Sequence, residues 1–166
     1  HELSEPVAGD YYFVEEQTPF GYVRAAELPF TITAEAGIQK LELVNELILG
    51  QLEIEKYDVE NPDTKLSGAR FKFTNLDTNS AVILITGEDG RAVSSQVPIG
   101  SVGKDGTVSL YHFQVQEVGA PDGYLLEPEA ELFQFNVTTD RLKKLVFHYA
   151  APNQPNEVVI SKKTLT

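Results

Sequence analysis

The sequence contains no cysteine, no methionine and no tryptophan. Without cysteine there is neither a disulfide nor a thiolate metal site. That fits a chain that is stable outside the cell without disulfide staples. Basic residues are scarce: 13 Lys and Arg stand against 25 Asp and Glu, for a formal net charge of −12. This balance argues against nucleic-acid binding by phosphate neutralisation and against adsorption to anionic lipid. Its ordinary consequence is a soluble, self-repelling surface. No apolar run approaches the ~18 residues of a membrane span, and there is no signal peptide. The chain starts at His1 and reads as an excised or mature segment, with any export signal or wall anchor expected outside it.

Helical periodicity is also missing, and strand periodicity takes its place. QLEIEKY (51–57), ARFKFTN (69–75), AVILITG (81–87), VSLYHFQVQE (108–117), LFQFNVT (132–138) and KLVFHYA (144–150) alternate or run apolar, rich in β-branched and aromatic residues. Further strands are expected at 11–16, 28–34 and 40–45. Turn signals separate them: NPD at 61–63, EDG at 88–90, KDG at 104–106 and PDG at 121–123. A helix over LLEPEAEL (125–132) is undercut by Pro128. The fold class implied is all-β, a β-sandwich.

Two phrases occur twice. YYFVEEQTPFGY (11–22) returns as YHFQVQEVGAPDGY (111–124), placing Glu15 and Glu117 102 residues apart. LEIEKYD around Lys56 returns as VVISKKT around Lys162, 106 residues on. A period of about 100 residues is one whole small domain. The segment therefore divides into the C-terminal half of a domain (1–48), a complete domain (49–153), and a linker with the first strand of a following domain (154–166).

Strand parity decides which side chains face the core. Lys56 shares a face with Leu52 and Ile54, and Lys162 with Val158 and Ile160. Glu117 shares a face with Phe113 and Val115, Glu15 with Tyr11 and Phe13, and Asn45 with Leu41 and Leu43. Burying an unpaired lysine or glutamate costs several kcal/mol. Two readings satisfy both charges. One is a buried salt bridge. The other is a covalent link, in which a neutral lysine amine attacks an Asn amide while a protonated carboxylic acid polarises its carbonyl. Apolar burial favours the neutral forms of both groups. The products are an isopeptide bond and ammonia.

The stretch GQLEIEKYDVENPDTKLSGARFKF resembles the opening of the collagen-adhesin B-type domain (Cna-B, also SpaA-like or prealbumin-like) of Gram-positive surface proteins and pilins. The residues that carry the likeness are Lys56, Asp58, Leu66, Gly68, Ala69 and Phe71, then Glu117 with Ala120, Pro121, Gly123 and Tyr124. The glutamate phrase matches again at Glu15 with Pro19, Gly21 and Tyr22, where Thr18 replaces Ala. The resemblance implies tandem Ig-like, prealbumin-like sandwiches acting as a structural stalk, extracellular and wall-attached, with no cofactor and no enzymatic turnover. It further implies Lys56 as isopeptide nucleophile, Glu117 and Glu15 as the promoting acids, and an Asn of the last strand as acceptor. In the first repeat that Asn is Asn45. In the complete domain, register with KLELVN puts Tyr149 in its place, while Asn153 has the right parity four residues later. Either Asn153 is the acceptor or this domain has no crosslink.

Glu15 and Asn45 lack a lysine strand, and Lys162 lies in a strand that lacks a domain. Lys162 would find its partner outside this segment or complete residues 1–48 of another copy by strand addition. Asp58, Glu60, Asn61 and Asp63 are oxygen-rich, but the Asn-Pro-Asp turn accounts for them better than Ca²⁺. His112 and His148 stand apart on strands, and Tyr57, Tyr111, Tyr124 and Tyr149 read as core and corner aromatics. The partners implied are neighbouring domains of the same polypeptide. The alternative function is a ligand-binding adhesin domain recognising a host protein or glycan, which an exposed apolar patch would favour.

Overall fold

The computed structural model describes residues 7–34, 40–137 and 144–157. All regular elements among them are strands. A hairpin of β1 (Gly9–Phe13) and β2 (Leu28–Ile32) comes first. Two four-stranded sheets follow. The first joins β4 (Arg70–Asn75), β5 (Ser80–Ile85), β10 (Phe113–Gly119) and β11 (Ala130–Phe133) in the order β11-β10-β4-β5, antiparallel throughout. The second is centred on β3 (Leu49–Asp58), flanked by β12 (Lys144–Asn153) on one side and by β6 (Arg91–Val93) and β7 (Val97–Pro98) on the other. A small hairpin, β8 (Gly100–Val102) with β9 (Val108–Leu110), completes the set.

The core lies between the two large sheets. On β3 the even-numbered residues Leu52, Ile54, Lys56 and Asp58 are buried while their odd neighbours are half-exposed. Facing them are Phe71 and Phe73 of β4 and Phe113 and Val115 of β10. In place of tryptophan, phenylalanines fill the centre: Phe113 contacts Phe73, Phe133 and Phe135 at centroid distances of 5.4, 5.6 and 5.2 Å. Each such buried side chain is worth about 1.5–3 kcal/mol of transfer free energy.

Several expectations shift. The single strand expected at 108–117 is two, because residues 108–110 pair with β8 while residues 113–119 pair with β4. Between them Tyr111 N donates to Ile99 O and His112 O accepts from Leu76 N, so the chain changes partner there. The strand expected at 144–150 runs on to Asn153. No strand forms over residues 40–45, because nothing among the described residues pairs with them as β3 pairs with β12. Residues 125–132 are not helical; β11 begins within them. The turns at 88–90, 104–106 and 121–123 are present, each ending in a glycine of positive φ.

Candidate functional site

Lys56, Glu117 and Asn153 meet beneath the ends of three strands, exposed by 1%, 3% and 1% respectively. The β3 alternation drives the lysine inward. Its backbone is clamped as well: Lys56 N donates to Gly90 O (2.8 Å), and Lys56 O accepts from Leu66 N (3.1 Å). Gly90 must be glycine here, since its φ is +69° and a Cβ would sit 2.5 Å from the Lys56 carbonyl oxygen. Glu117 follows Phe113 and Val115 on the inner face of β10, just before a register shift between Glu117 and Gly119 that bends the strand. Asn153 ends β12, which runs parallel to β3 in continuous register, Ala151 opposite Lys56 and Asn153 opposite Asp58.

Glu117 bridges the other two side chains. Its Oε1 lies 3.2 Å from Lys56 Nζ, and its Oε2 accepts from Asn153 Nδ2 at 3.0 Å and from Glu127 N at 3.0 Å. Asn153 Nδ2 also donates to Leu125 O at 2.8 Å. A carbonyl can only accept, so this bond fixes which end of the amide faces Glu117. Lys56 Nζ donates to Pro152 O at 3.1 Å and stands 5.5 Å from the Phe71 ring centroid. Burial pushes the Lys56 amine below the ordinary lysine value, against the opposing pull of the Glu117 carboxylate. Asn153 Oδ1 is buried and accepts no hydrogen bond among the described residues, while Glu117 Oε1 has the Lys56 amine as its neighbour. An ion pair kept for stability alone gains little when a lone pair is left unsatisfied. An amine beside a carboxylate that also holds an amide has the parts for acyl transfer.

The first repeat rebuilds the carboxylate–amide half of this arrangement. Asn45 Nδ2 donates to Glu15 Oε1 (2.8 Å), Ala25 N to Glu15 Oε2 (3.0 Å), and Thr18 Oγ1 to the same oxygen (3.2 Å). The backbone donor stands ten residues after the glutamate in both copies. The Ala25 N–H, then the Asn45 amide, hold the Glu15 carboxyl below its usual range. No lysine approaches this pair among the described residues, and Glu15 is half-exposed rather than buried. Lys162 lies outside the described residues.

Tyr149 does not occupy an acceptor's place. On β12 it pairs with Ile54 of β3, and its ring meets Phe71 edge-on at 6.1 Å. Asn153, not Tyr149, is the counterpart of Asn45. Each is the amide bonded to its glutamate, and each is followed two residues later by a bridge to the Gly-Tyr tyrosine, Leu47 to Tyr22 and Pro155 to Tyr124.

Two contributors escaped the sequence. The Leu125 carbonyl is main chain and carries no side-chain signal. Asp58 and Tyr124 were both visible in motifs, but not their bond: Tyr124 OH donates to Asp58 Oδ2 at 3.0 Å, tying the corner after β10 to the end of β3. Asp58 Oδ1 meanwhile accepts from Glu60 N and Asn61 N, so the acidic cluster serves its own turn. His112 and His148 are exposed beside Asp77 and Glu53.

The SpaA prealbumin-like fold domain matches residues 50–150. Among solved structures, the Bacillus anthracis TIE protein is similar at 26% identity with a TM-score of 0.60, over 89% of this chain and 25% of that one. The full-length major pilin SpaD of Corynebacterium diphtheriae shares the fold at 18% identity and TM-score 0.51, over 79% of this chain and 36% of its own. The group B streptococcus pilus 2b backbone protein does so at 19% and 0.50, over 86% and 52%. The chain thus spans between a quarter and about half of the length of these proteins. No curated protein matches it. With more than half of its residues under the family model, the chain belongs to the SpaA prealbumin-like domain family.

Proposed function

We propose that this chain is a structural stalk module of a Gram-positive cell-surface pilus or adhesin, extracellular and wall-attached, in which residues 49–153 form one complete domain sealed by a Lys56–Asn153 isopeptide bond. Residues 1–48 are then the C-terminal half of a preceding domain, and 154–166 lead into the next. The observation that carries the reading is the buried Glu117 carboxylate, one oxygen on the Lys56 amine and the other on the Asn153 amide.

That bridge supplies a proton route. The Lys56 amine, its pKa lowered by burial, attacks Asn153 Cγ in its neutral form. Its surplus proton passes to the Glu117 carboxylate, which then hands that proton on to Nδ2. The new N–C bond forms, the Cγ–Nδ2 bond breaks, and ammonia leaves. Glu117 ends as it began, and the protein acts once without turnover. The Leu125 carbonyl holds the leaving nitrogen towards Glu117.

Intact mass tests this directly. The wild-type chain should weigh one ammonia less than its sequence, and Lys56→Ala, Glu117→Ala and Asn153→Ala should each restore the full mass. A wild-type chain of full mass, with the fold intact, would sink the crosslink and leave a paired Lys56 and Glu117. Glu15 and Asn45 await an amine from a strand outside the described residues. If Lys162 of another copy supplies it, boiling in detergent leaves covalent oligomers; monomers alone dismiss strand exchange.

One observation favours the second reading, a ligand-binding adhesin domain. Strand β5 is a sheet edge, with Val82, Ile83 and Ile85 each more than 40% exposed. If it receives a host protein, Ile83→Lys should abolish binding of the chain to that protein while leaving the ammonia loss intact.

A further inference from the structure

The corner after each glutamate strand is built twice with the same bonds. Tyr22 N donates to Pro19 O and Tyr124 N to Pro121 O; Val23 N to Glu46 O and Leu125 N to Gln154 O; Ile48 N to Gly21 O and Asn156 N to Gly123 O. Its surroundings differ between the copies. The first corner is covered at Gly21 and Val23, though Phe20 stays 48% exposed. Val23 packs against the core cluster, and Ile48 is fully buried within it. Gly21 lies so close to β9 that a Cβ would stand 2.8 Å from the Val108 side chain. The second corner is open at Gly123 and Leu125 among the described residues, while Pro121 is buried by its own domain. Gly123 has the same conformation, φ +85° against +81°, but nothing among the described residues lies within 4 Å of where its Cβ would be. Leu125, the counterpart of Val23, is 49% exposed, and Leu126 beside it 46%.

We propose that the corner formed by Ala120–Leu126 and Asn156 is a docking joint that receives the β8–β9-type hairpin of a further prealbumin-like domain, the next one along the same polypeptide. This rests on the tandem-array reading above. The occupant follows from the covered joint. There, Ile48 leads directly into β3 of the domain whose hairpin covers the corner. At the open joint Asn156 stands in the place of Ile48, and the residues after it repeat the β3 phrase, VVISKKT for LEIEKYD. A domain started there is tethered within reach of the corner, at an effective concentration far above that of a free partner. The chemistry is redistributed between the two joints. Asn156 replaces the buried Ile48, and Leu126 replaces Arg24, so the apolar surface moves from linker to corner.

The absence of cysteine makes the joint easy to probe. In the 166-residue chain, Leu125→Cys should react quickly with a maleimide and Val23→Cys at least tenfold more slowly. In a tandem protein, residues 1–156 followed by a second copy of 49–157, Leu125→Cys should slow at least tenfold. Val108→Asp in the second copy should restore the fast rate. Equal rates for the two cysteines in the single chain, or an unprotected Leu125→Cys in the tandem, overturn the joint. The mass of the tandem protein without the cysteine separates the two proposals: one ammonia lost per complete domain, with Leu125→Cys still fast, leaves the stalk reading standing and removes the joint alone.

Discussion

In the proposed crosslink, burial is what would make Lys56 reactive. Desolvation favours the neutral amine, and the Glu117 carboxylate opposes it without reversing the direction. When chain recovered unreacted from denaturant is refolded, ammonia loss should therefore quicken as pH rises and level off below the pH at which an exposed lysine loses its proton. A rate that keeps climbing to the ordinary lysine value would mean the amine is not desolvated before it reacts. Removing the pair cleanly requires both charges to go, since one left alone in the core costs about 3–5 kcal/mol. Lys56→Met/Glu117→Gln should fold but melt lower, by the loss of a link closing a loop of nearly 100 residues, about 4–5 kcal/mol in the chain-entropy view. Asp58 is shifted in the same direction by a different cause, hydrogen bonds to its charged form. Burial raises its pKa, but the Glu60 N–H, the Tyr124 hydroxyl and the Asn61 N–H together outweigh this and hold the carboxyl low. The contribution is thus present above the unfolded carboxylate value and is lost as pH falls through the lower, folded one. Tyr124→Phe should lower the Tm at neutral pH, with the gap to wild type narrowing under acid; a gap independent of pH would assign the loss to packing.

The register of β12 decides which residue can be the acceptor. Aligned by its apolar pattern, KLVFHYA puts Tyr149 where Asn45 stands, and Pro152 looks like the end of the strand. In the fold the strand continues through Pro152, which pairs with Tyr57. It can do so because β12 is an edge: among the described residues its one neighbour is β3, so a missing N–H on the outer side breaks no ladder. Tyr149→Asn/Asn153→Ala should accordingly lose no ammonia, despite restoring the amide that sequence alignment asks for. An ammonia lost from that variant would mean the register slips by four residues. What could be read beforehand follows the same line. Lys56 and Glu117 were legible because alternation places them among unbroken apolar neighbours. The split of 108–117 into β9 and β10 was not, since alternation continues across Tyr111 and His112 while the pairing partner changes. The expected strand at 40–45 failed for a non-local reason: a parallel edge strand needs its partner, and pattern alone cannot supply one.

At the scale of the molecule, the arrangement of β3 and β12 defines how load would travel. The strands are parallel neighbours, so a pull on the preceding and following segments enters at Leu49 and leaves at Asn153, at opposite ends of the pair. Without a crosslink, the ladder is sheared as a whole and the domain between must eventually unravel. With Lys56 bonded to Asn153, tension passes along β3 to Lys56, crosses the side chains and leaves, and residues 57–152 never come under load. Stretching single molecules held beyond residues 49 and 153 distinguishes the two. The wild type should show no unfolding step from this domain at any force below covalent rupture. Lys56→Met/Glu117→Gln should release the shielded segment in one step, lengthening the molecule by roughly 300–350 Å at the reach of an extended chain. A step of that size in crosslinked wild type, as judged by its mass, would show that force finds a path around the bond and would remove the mechanical reading of the stalk.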